Sequence, residues 1–236
     1  MAGILLLFVF ILVNTGCSGI QPLVPASLTT ATDPAPDSTR TTSPQAAADT
    51  TPSITDQTAP AVDETPEILS FRVVKSYPHD SGAFTEGLVI HEGILYETTG
   101  LNGRSTLRQV DLETGRVLRM RSLGKEYFGE GLAVIDDRMV WATWRTNTAF
   151  VYDLQTFEVT DEFNYEHEGW GMAYNGTHLY LSDGTDIIHI LSPLDYSEVG
   201  TLRVSDHGEP VDMINELEFI DGDLYANIWL TTKIAR

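Results

Sequence analysis

From Phe84 onward, apolar and polar residues alternate with a period of two, and turn residues separate the short runs. This alternation is typical of antiparallel strands. In the first repeat we predict four strands, at Gly87–Ile90, Ile94–Thr98, Thr106–Val110 and Val117–Arg121. The turn before the fourth strand contains Asp and Gly, which supply a side-chain-to-backbone hydrogen bond and a positive φ. Four strands of this kind form one small antiparallel sheet.

A short phrase recurs along this region and predicts the fold class. It aligns Glu86, Glu130, Trp170 and Asn215 in one column, with spacings of 44, 40 and 45 residues. A period of about 40–45 residues built from short strands indicates an all-β fold, the β-propeller, with one blade per repeat. We predict blades near residues 84–122, 128–166 and 167–205, and a half-blade from 214.

The later repeats give the same series of strands. They are predicted at Leu132–Ile135, Met139–Thr143, Ala149–Asp153, Glu158–Phe163, Met172–Tyr174, His178–Ser182, Ile187–Leu191, Glu198–Val204, Leu217–Ile220 and Leu224–Ile228. A further strand starts at Lys233, so the chain stops at Arg236 inside its fourth blade. A propeller closes its ring to avoid an exposed strand edge, so we expect a C-terminally incomplete sequence. Ile68–Tyr77 is predicted to be an extra strand before the first repeat.

The N-terminal segment, residues 1–17, resembles an export signal. Its apolar run from Ile4 to Val13 is short for a bilayer span but suits a signal peptide. Cys17, the only cysteine, follows a small residue at the end of this run, as in a bacterial lipoprotein whose cysteine becomes the lipidated N-terminus. We expect an exported, membrane-anchored protein facing the periplasm or the cell exterior. No basic residue precedes the run and Asn14 stands where Leu is usual, which leaves plain secretion or an uncleaved anchor open.

Residues 18–67 are rich in Thr, Pro, Ala, Ser and Asp. Such a stretch buries too little apolar surface to offset the entropy of ordering, so it predicts a disordered tether. Residues 68–236 form the globular part, long enough for one core. The formal net charge of −20 argues against nucleic acid as a partner, and we expect a monomer.

Metal chemistry finds little support in the sequence. The six His residues are scattered, without a pair at ligand spacing, and solvated surface positions are expected for them. The acidic turns Ile135–Asp137 and Asp221–Asp223 lack a full calcium-loop pattern, so ordinary hairpin turns are predicted there.

The repeated column suggests where chemistry occurs, because the inner strand of each blade lines the central channel. A carboxyl group such as that of Glu130, in a Trp-walled pocket, has its pKa raised by desolvation and can exchange protons near neutral pH. Indole N–H groups and Asn215 can donate hydrogen bonds to a carbonyl oxygen as it gains charge. Structural roles stay open: Glu130 could bond to backbone amides, and the Trp residues could pack between blades. Trp141, three residues before Trp144, lies on the opposite strand face and is expected to pack in the core.

An ordered series of motifs resembles the plant- and bacterial-type glutamine cyclotransferases, which are five-bladed β-propellers. The series runs from about Phe71 to the last residue and comprises Tyr77–Asp80, Ala83–Leu88, Leu95–Gly100, Arg108–Gly115, Tyr127–Leu132, Thr143–Arg145, Tyr152–Leu154, Glu168–Met172, Leu181–Gly184, Asn215–Phe219, Tyr225–Trp229 and Ile234–Arg236. The resemblance implies a transferase that cyclises the N-terminal Gln of peptides or proteins to pyroglutamate and releases ammonia, without a cofactor or catalytic metal.

The resemblance also implies roles for individual residues. It makes Glu130 the proton-handling residue, Trp144, Trp170 and Trp229 the pocket wall, and Phe84, Glu86, Phe128 and Asn215 its lining. Position 86 is Gln in many relatives and Glu here. A Lys from a C-terminal segment of the family has no counterpart in this chain.

Two other functions remain possible at this point. One is a non-catalytic, lipid-tethered propeller that presents its rim to a partner as a binding module. The other is a propeller lyase or oxidoreductase, which would require clustered His or Asp at the axis. The Glu, Trp and Asn column favours the cyclotransferase.

Overall fold

The computed structural model describes residues 66–236. The predicted signal peptide, the lipidation site Cys17 and all of the predicted tether except Pro66 and Glu67 lie outside the described residues. Residues 66–236 contain strands, turns and coil but no helix, and hence none that could cross a bilayer.

The described strands form the predicted β-propeller, with four sheets as blades. The first blade comprises β1 (Thr85–His91), β2 (Ile94–Thr99), β3 (Thr106–Asp111) and β4 (Arg116–Ser122). The second comprises β5 (Gly129–Ile135), β6 (Arg138–Thr143), β7 (Thr148–Asp153) and β8 (Val159–Asn164). The third comprises β9 (Met172–Tyr174), β10 (Leu179–Ser182), β11 (Ile187–Leu191) and β12 (Glu198–Arg203). In all three blades the strands pair antiparallel in chain order.

A small hairpin that the sequence did not predict follows the third blade, and a three-stranded sheet follows the hairpin. The hairpin pairs β13 (Ser205–Asp206) with β14 (Glu209–Pro210). The fourth blade comprises β15 (Ile214–Ile220), β16 (Asp223–Ile228) and β17 (Ile234–Ala235). The predicted strand limits differ from the observed ones by at most three residues, the largest differences being at the starts of β5 and β15.

Those differences arise because the repeated phrase itself belongs to the inner strands, where it forms β-bulges. The pairing register of β1 shifts between Thr85 and Gly87, that of β5 between Gly129 and Leu132, and that of β15 between Ile214 and Leu217. A bulge re-aims the side chain that it carries and often lies beside an active site. Three members of the column, Glu86, Glu130 and Asn215, therefore lie at bulges, whereas Trp170 precedes β9.

Each inner strand packs closely on the next across a glycine. A methyl group at Gly87 would lie 2.8 Å from the backbone nitrogen of Leu132, and one at Gly131 would lie 2.6 Å from the carbonyl oxygen of Trp170. One at Gly171 would overlap the Asn215 carbonyl oxygen. Because these neighbours are backbone atoms that cannot swing aside, the repeated Gly is required for β1, β5, β9 and β15 to pack in series.

Hydrogen bonds and apolar clusters join the blades. Gly131 N–H donates to Trp170 O at 2.7 Å, and the Thr98 hydroxyl donates to Glu130 O at 2.7 Å. Buried side chains from neighbouring sheets form shared clusters, and Trp141 is fully buried in one of them, as predicted. An open pocket of about 410 Å³ lies between the third and fourth blades.

The predicted strand at Ile68–Tyr77 is wrong, because residues 66–80 form no strand. The side chain of Ile68 is 97% exposed, so it has no packing surface that would favour a strand. The end of this segment is held instead by polar contacts to the first blade. Lys75 pairs with Glu113 at 2.8 Å, and His79 hydrogen-bonds to the buried Glu97 at 2.8 Å.

The acidic turns are hairpin turns, as predicted. Asp221 and Gly222 have φ values of 53° and 93° between β15 and β16, and Asp136 has a φ of 51° between β5 and β6. Positive φ at the central positions is the conformation that tight hairpins favour.

Gly171→Ala should destabilise the protein, because its methyl group would collide with backbone atoms of Asn215 and Glu216. We expect a loss of about 1–3 kcal/mol, typical of overpacking, which corresponds to a melting temperature lower by roughly 2–12 °C. Thermal unfolding followed by circular dichroism measures this. Gly200→Ala in β12 is the matched control, since its nearest neighbour would be a side-chain carbon at 4.0 Å. Equal melting temperatures for the two variants would contradict the proposed close packing.

Candidate active site

Two carboxyl groups from neighbouring blades meet at the inner strands. Glu86 lies at the bulge of β1 and Glu130 at the bulge of β5. Glu130 is 8% exposed and Glu86 is partly buried. Their side chains hydrogen-bond to each other. Because ionised carboxylates only accept hydrogen bonds, this contact requires a proton between them.

The surroundings of this acid pair favour the protonated form. Burial raises the pKa of Glu86 to about 8, although the hydrogen bond with Glu130 acts in the opposite direction. Burial also raises the pKa of Glu130 well above its usual value, and the charges of Glu86 and Glu216 raise it further. Two carboxyl groups this close titrate as a coupled pair, and between the two steps one group is ionised while the other keeps its proton. One can accept a proton while its partner donates one.

An aromatic wall borders the acid pair. The rings of Phe84 and Phe128 meet edge to face at 6.1 Å, and Phe128 meets Trp144 at 5.6 Å. Gly100 lies beneath this wall, where a methyl group would overlap the Phe128 ring and approach the Glu86 Oε1 atom to 2.9 Å. Gly100 therefore lets the ring and the carboxyl group lie side by side. Apolar rings beside the carboxyl groups account for part of their desolvation.

A third carboxylate, that of Glu168, joins two predicted pocket tryptophans. Its Oε2 atom accepts hydrogen bonds from Trp144 Nε1 at 2.6 Å and Trp170 Nε1 at 3.0 Å. Its Oε1 atom accepts one from Arg145 Nε at 2.9 Å, and the Arg145 guanidinium lies 3.8 Å from the centre of the Trp144 ring. Burial raises the pKa of Glu168, but the donors from Trp170, Arg145 and Trp144 outweigh it, so the net pKa is lowered. Glu168 therefore stays ionised.

This arrangement corrects the role predicted for the indole N–H groups. We expected them to stabilise charge on a carbonyl oxygen, but those of Trp144 and Trp170 are donated to Glu168. The two Trp side chains are held in place by the protein itself. They can present ring surface to a ligand, whereas the oxyanion donors expected from them must come from elsewhere.

The remaining predicted residues extend the wall toward the fourth blade. Trp229 follows β16 and meets Trp170 edge to face at 5.5 Å, with 41% of its surface exposed. Asn215 lies in β15, and its carbonyl oxygen accepts a 2.7 Å hydrogen bond from the Ser182 hydroxyl. Phe84, Phe128, Trp144, Trp170 and Trp229 thus form a continuous series of aromatic residues, joined in the middle by Glu168. The structure brings the predicted residues of all four blades to one region.

Two acidic residues of the fourth blade were not among the site residues predicted from the sequence. Glu216 occupies the position that is Gly87, Gly131 or Gly171 in the other repeats, and its Oε2 atom is shielded from solvent without a hydrogen-bond partner. Burial raises the pKa of Glu216 well above its usual value, and Glu218 and Glu86 raise it further. Glu218 has more exposed surface, yet burial raises its pKa to about 7. The departure from the repeated Gly was the signal that could have identified Glu216.

The expectation that the His residues are solvated is wrong for two of them. The rings of His167 and His189 stack at 3.5 Å, and the His189 side chain is only 12% exposed. The spacing along the sequence did not predict this contact, because His167 precedes the inner strand of the third blade whereas His189 lies in β11.

Fold and site together define a β-propeller with an acid pair and an aromatic wall at its inner strands. The chain belongs to the glutamine cyclotransferase family, whose model matches residues 45–236. The match includes the last part of the predicted tether and therefore begins earlier than the motifs that start near Phe71.

Two relatives illustrate the similarity. A glutaminyl-peptide cyclotransferase of Arabidopsis thaliana is 38% identical over 178 residues, which is 75% of this chain and 56% of that protein. The chain thus spans little more than half of this curated relative. The crystal structure of Myxococcus xanthus glutaminyl cyclase superposes with a TM-score of 0.65 and 36% identity, covering 69% of each chain.

Glu168→Gln should loosen the aromatic wall, because the neutral amide loses the charge-assisted hydrogen bonds to two indoles and Arg145. We expect a loss of roughly 1–2 kcal/mol in stability and stronger acrylamide quenching of tryptophan fluorescence. Glu166→Gln, an exposed position in the same segment, is the matched control. Quenching that is unchanged from wild type in Glu168→Gln would show that Glu168 does not hold the two Trp side chains.

Proposed function

We propose that this chain is a glutaminyl-peptide cyclotransferase that converts the N-terminal Gln of peptides and proteins to pyroglutamate and releases ammonia. The observation that carries the proposal is the hydrogen-bonded acid pair, Glu86 and Glu130, with raised pKa values beside an aromatic wall. Family membership and the names of the relatives support the choice of substrate.

The reaction needs proton transfer more than it needs a strong nucleophile. The α-amine of the substrate attacks the carbon of its own γ-carboxamide, so the two reacting groups are already in one molecule. A bond forms between the amine nitrogen and the carbonyl carbon, and the bond to the departing nitrogen breaks. One proton leaves the amine, and one must reach the departing nitrogen to release ammonia. A pair of carboxyl groups sharing one proton suits both transfers.

Glu130 is the better placed of the two to move the proton. It is the more buried carboxyl group, and its backbone is fixed by the hydrogen bond from Thr98. In its ionised form it accepts the proton from the amine, and it then gives that proton to the departing nitrogen. Glu86, where many relatives have Gln, holds Glu130 by hydrogen bonding and keeps its pKa high by charge repulsion.

The aromatic wall captures and orients the substrate. A substrate amine arrives as an ammonium group, which aromatic faces and carboxylates attract. It loses one proton to solvent before the neutral amine attacks. The Trp144 face already carries Arg145, so Trp170 and Trp229 offer the free aromatic surface. Asn215, the indole N–H of Trp229 and backbone N–H groups are the donors that remain for the carboxamide oxygen, since the indole N–H groups of Trp144 and Trp170 are committed to Glu168.

Glu130→Gln should lower kcat by roughly 10²–10⁴-fold, because the amide cannot transfer the proton. Glu86→Gln should retain most activity, and its acidic pH limb should move to lower pH. The sign follows from the electrostatics: the Glu86 charge raises the pKa of Glu130, so removing it lowers the pH at which Glu130 becomes the ionised base. Ammonia release from a peptide beginning with Gln measures both effects.

The control substrate is the same peptide beginning with Asn, whose cyclisation would require a strained four-membered ring. Full activity in Glu130→Gln would remove Glu130 from the mechanism and leave Glu86 as the base. A folded wild-type chain that releases no ammonia yet binds the Gln peptide would favour the binding module instead.

We also propose export and lipid anchoring at Cys17, which rests on the sequence of residues 1–17 alone. The apolar run Ile4–Val13, followed at Cys17 by a cysteine after a small residue, supports it, and the acidic composition suits a protein outside the cytoplasm.

Labelling cells with a fatty-acid analogue should tag the wild-type protein and not Cys17→Ala. Equal labelling of both proteins would reject the anchor. Release of unlabelled wild-type protein into the medium would favour plain secretion.

A further inference from the structure

A second cluster of chemically active side chains lies between the loop before the third blade and the outer strands of that blade. His167 comes from the loop, His189 from β11 and Glu198 from β12. One ligand atom from each of the three residues lies within 4.8 Å of the others. The two rings stack in parallel, with centres 3.5 Å apart and an interplanar angle of 9°. None of these residues belongs to the acid pair or the aromatic wall.

His167 has one ring nitrogen at a carbonyl acceptor, and His189 has both ring nitrogens beside carboxylates. His167 Nδ1 lies 2.7 Å from the carbonyl oxygen of Glu168. A carbonyl only accepts, so Nδ1 carries the hydrogen and Nε2 keeps its lone pair. His189 Nε2 lies 3.2 Å from Asp183 Oδ2, and its Nδ1 lies 2.9 Å from Glu198 Oε2. A carbonyl or carboxylate behind each imidazole is the usual outer arrangement of histidine ligands in metal sites.

The surroundings hold the His167 ring in place. The Tyr165 ring stacks on His167 at 5.2 Å, and the Tyr165 hydroxyl is hydrogen-bonded to the backbone of Thr143. The amide of Asn147 donates to the carbonyl oxygen of His167. By contrast, the Glu198 side chain is 47% exposed and free to adjust its position. The His167 ring is thus held by its neighbours, whereas the Glu198 carboxylate can move when an ion enters.

We propose that His167, His189 and Glu198 bind a Zn²⁺ ion, with Asp183 orienting His189. Two imidazoles and one carboxylate form a ligand set that zinc favours, whereas Ca²⁺ and Mg²⁺ prefer oxygen ligands alone. Two ligands of a tetrahedral zinc lie about 3.3 Å apart, close to the 2.9 Å between His189 Nδ1 and Glu198 Oε2. The lone pair of an imidazole nitrogen lies in the plane of its ring, so two parallel stacked rings cannot both point at one ion. Binding therefore turns one ring out of the parallel stack.

The position of the ion suggests what it does. It would tie the loop containing His167 to β11 and β12, and this loop leads directly to Glu168, which holds Trp144 and Trp170. Bound zinc therefore stabilises the segment that supports the aromatic wall, separately from the proton transfer at the acid pair.

The test is zinc binding by the purified full-length chain carrying Cys17→Ala, which removes the only thiol. We expect one Zn²⁺ per chain by titration against a chromophoric chelator, and a visible spectrum of tetrahedral Co²⁺ when cobalt replaces zinc. Glu198→Gln and His167→Gln should each weaken zinc binding by roughly 100-fold or more, and Asp183→Asn by roughly 10–100-fold. Zinc should also raise the melting temperature of the parent chain but not that of the ligand variants.

His207→Gln is the matched control, because His207 also pairs with a carboxylate, that of Asp206, but lies exposed in a turn. It should bind zinc as tightly as the parent. Circular dichroism confirms that each variant is folded. Because Glu198 is exposed, Glu198→Gln tests the site even if a substitution of His189 prevents folding. No zinc binding by the parent chain would overturn the proposal, as would undiminished binding by folded Glu198→Gln and His167→Gln together.

Discussion

The close approach of one inner strand to the next is the constraint on which the rest of this structure depends. At Gly87, Gly131 and Gly171 the neighbouring backbone lies where any side chain would stand. This spacing lets Gly131 donate to Trp170 O and lets Thr98 reach Glu130 O. It also places residues of successive blades side by side with little room for water. The repeated glycine is therefore the origin of both the blade packing and the dry environment at the inner strands.

The dry environment reduces stability at the acidic residues that lie beside the repeated glycines. Glu86 and Glu130 precede the glycines at the bulges, and burial disfavours their charged forms. Glu216, which stands in the glycine column itself, keeps a shielded oxygen without a partner. Carboxyl groups whose pKa is raised on folding reduce stability as the pH rises above their unfolded value near 4.5, and the loss is complete only above the raised pKa. A chain built for stability alone would not place three carboxyl groups there, so their presence favours a proton-transfer role.

The sequence predicted the repeat, the blades and the column of site residues because each depends on local pattern. Period-two alternation and a recurring phrase need no knowledge of distant contacts. The predictions failed where the outcome depends on which segments meet. Ile68–Tyr77 has the composition of a strand but no sheet on which to pack. His167 and His189 are 22 residues apart in the sequence, yet their rings stack. The role of Glu168 depends on donors from two blades, which no spacing along the chain reveals.

The carboxyl groups of this region differ in role because their surroundings differ, although each belongs to a Glu. Glu168 faces two indole N–H groups and a guanidinium, which keep its pKa low and make it a fixed anchor. Glu130 faces another carboxyl group in a drier place, which keeps its pKa high and lets it exchange a proton. The anchor holds the aromatic wall while the acid pair remains free to react. Proton transfer on a positioned substrate requires both kinds of carboxyl group, one whose charge is fixed and one whose charge changes.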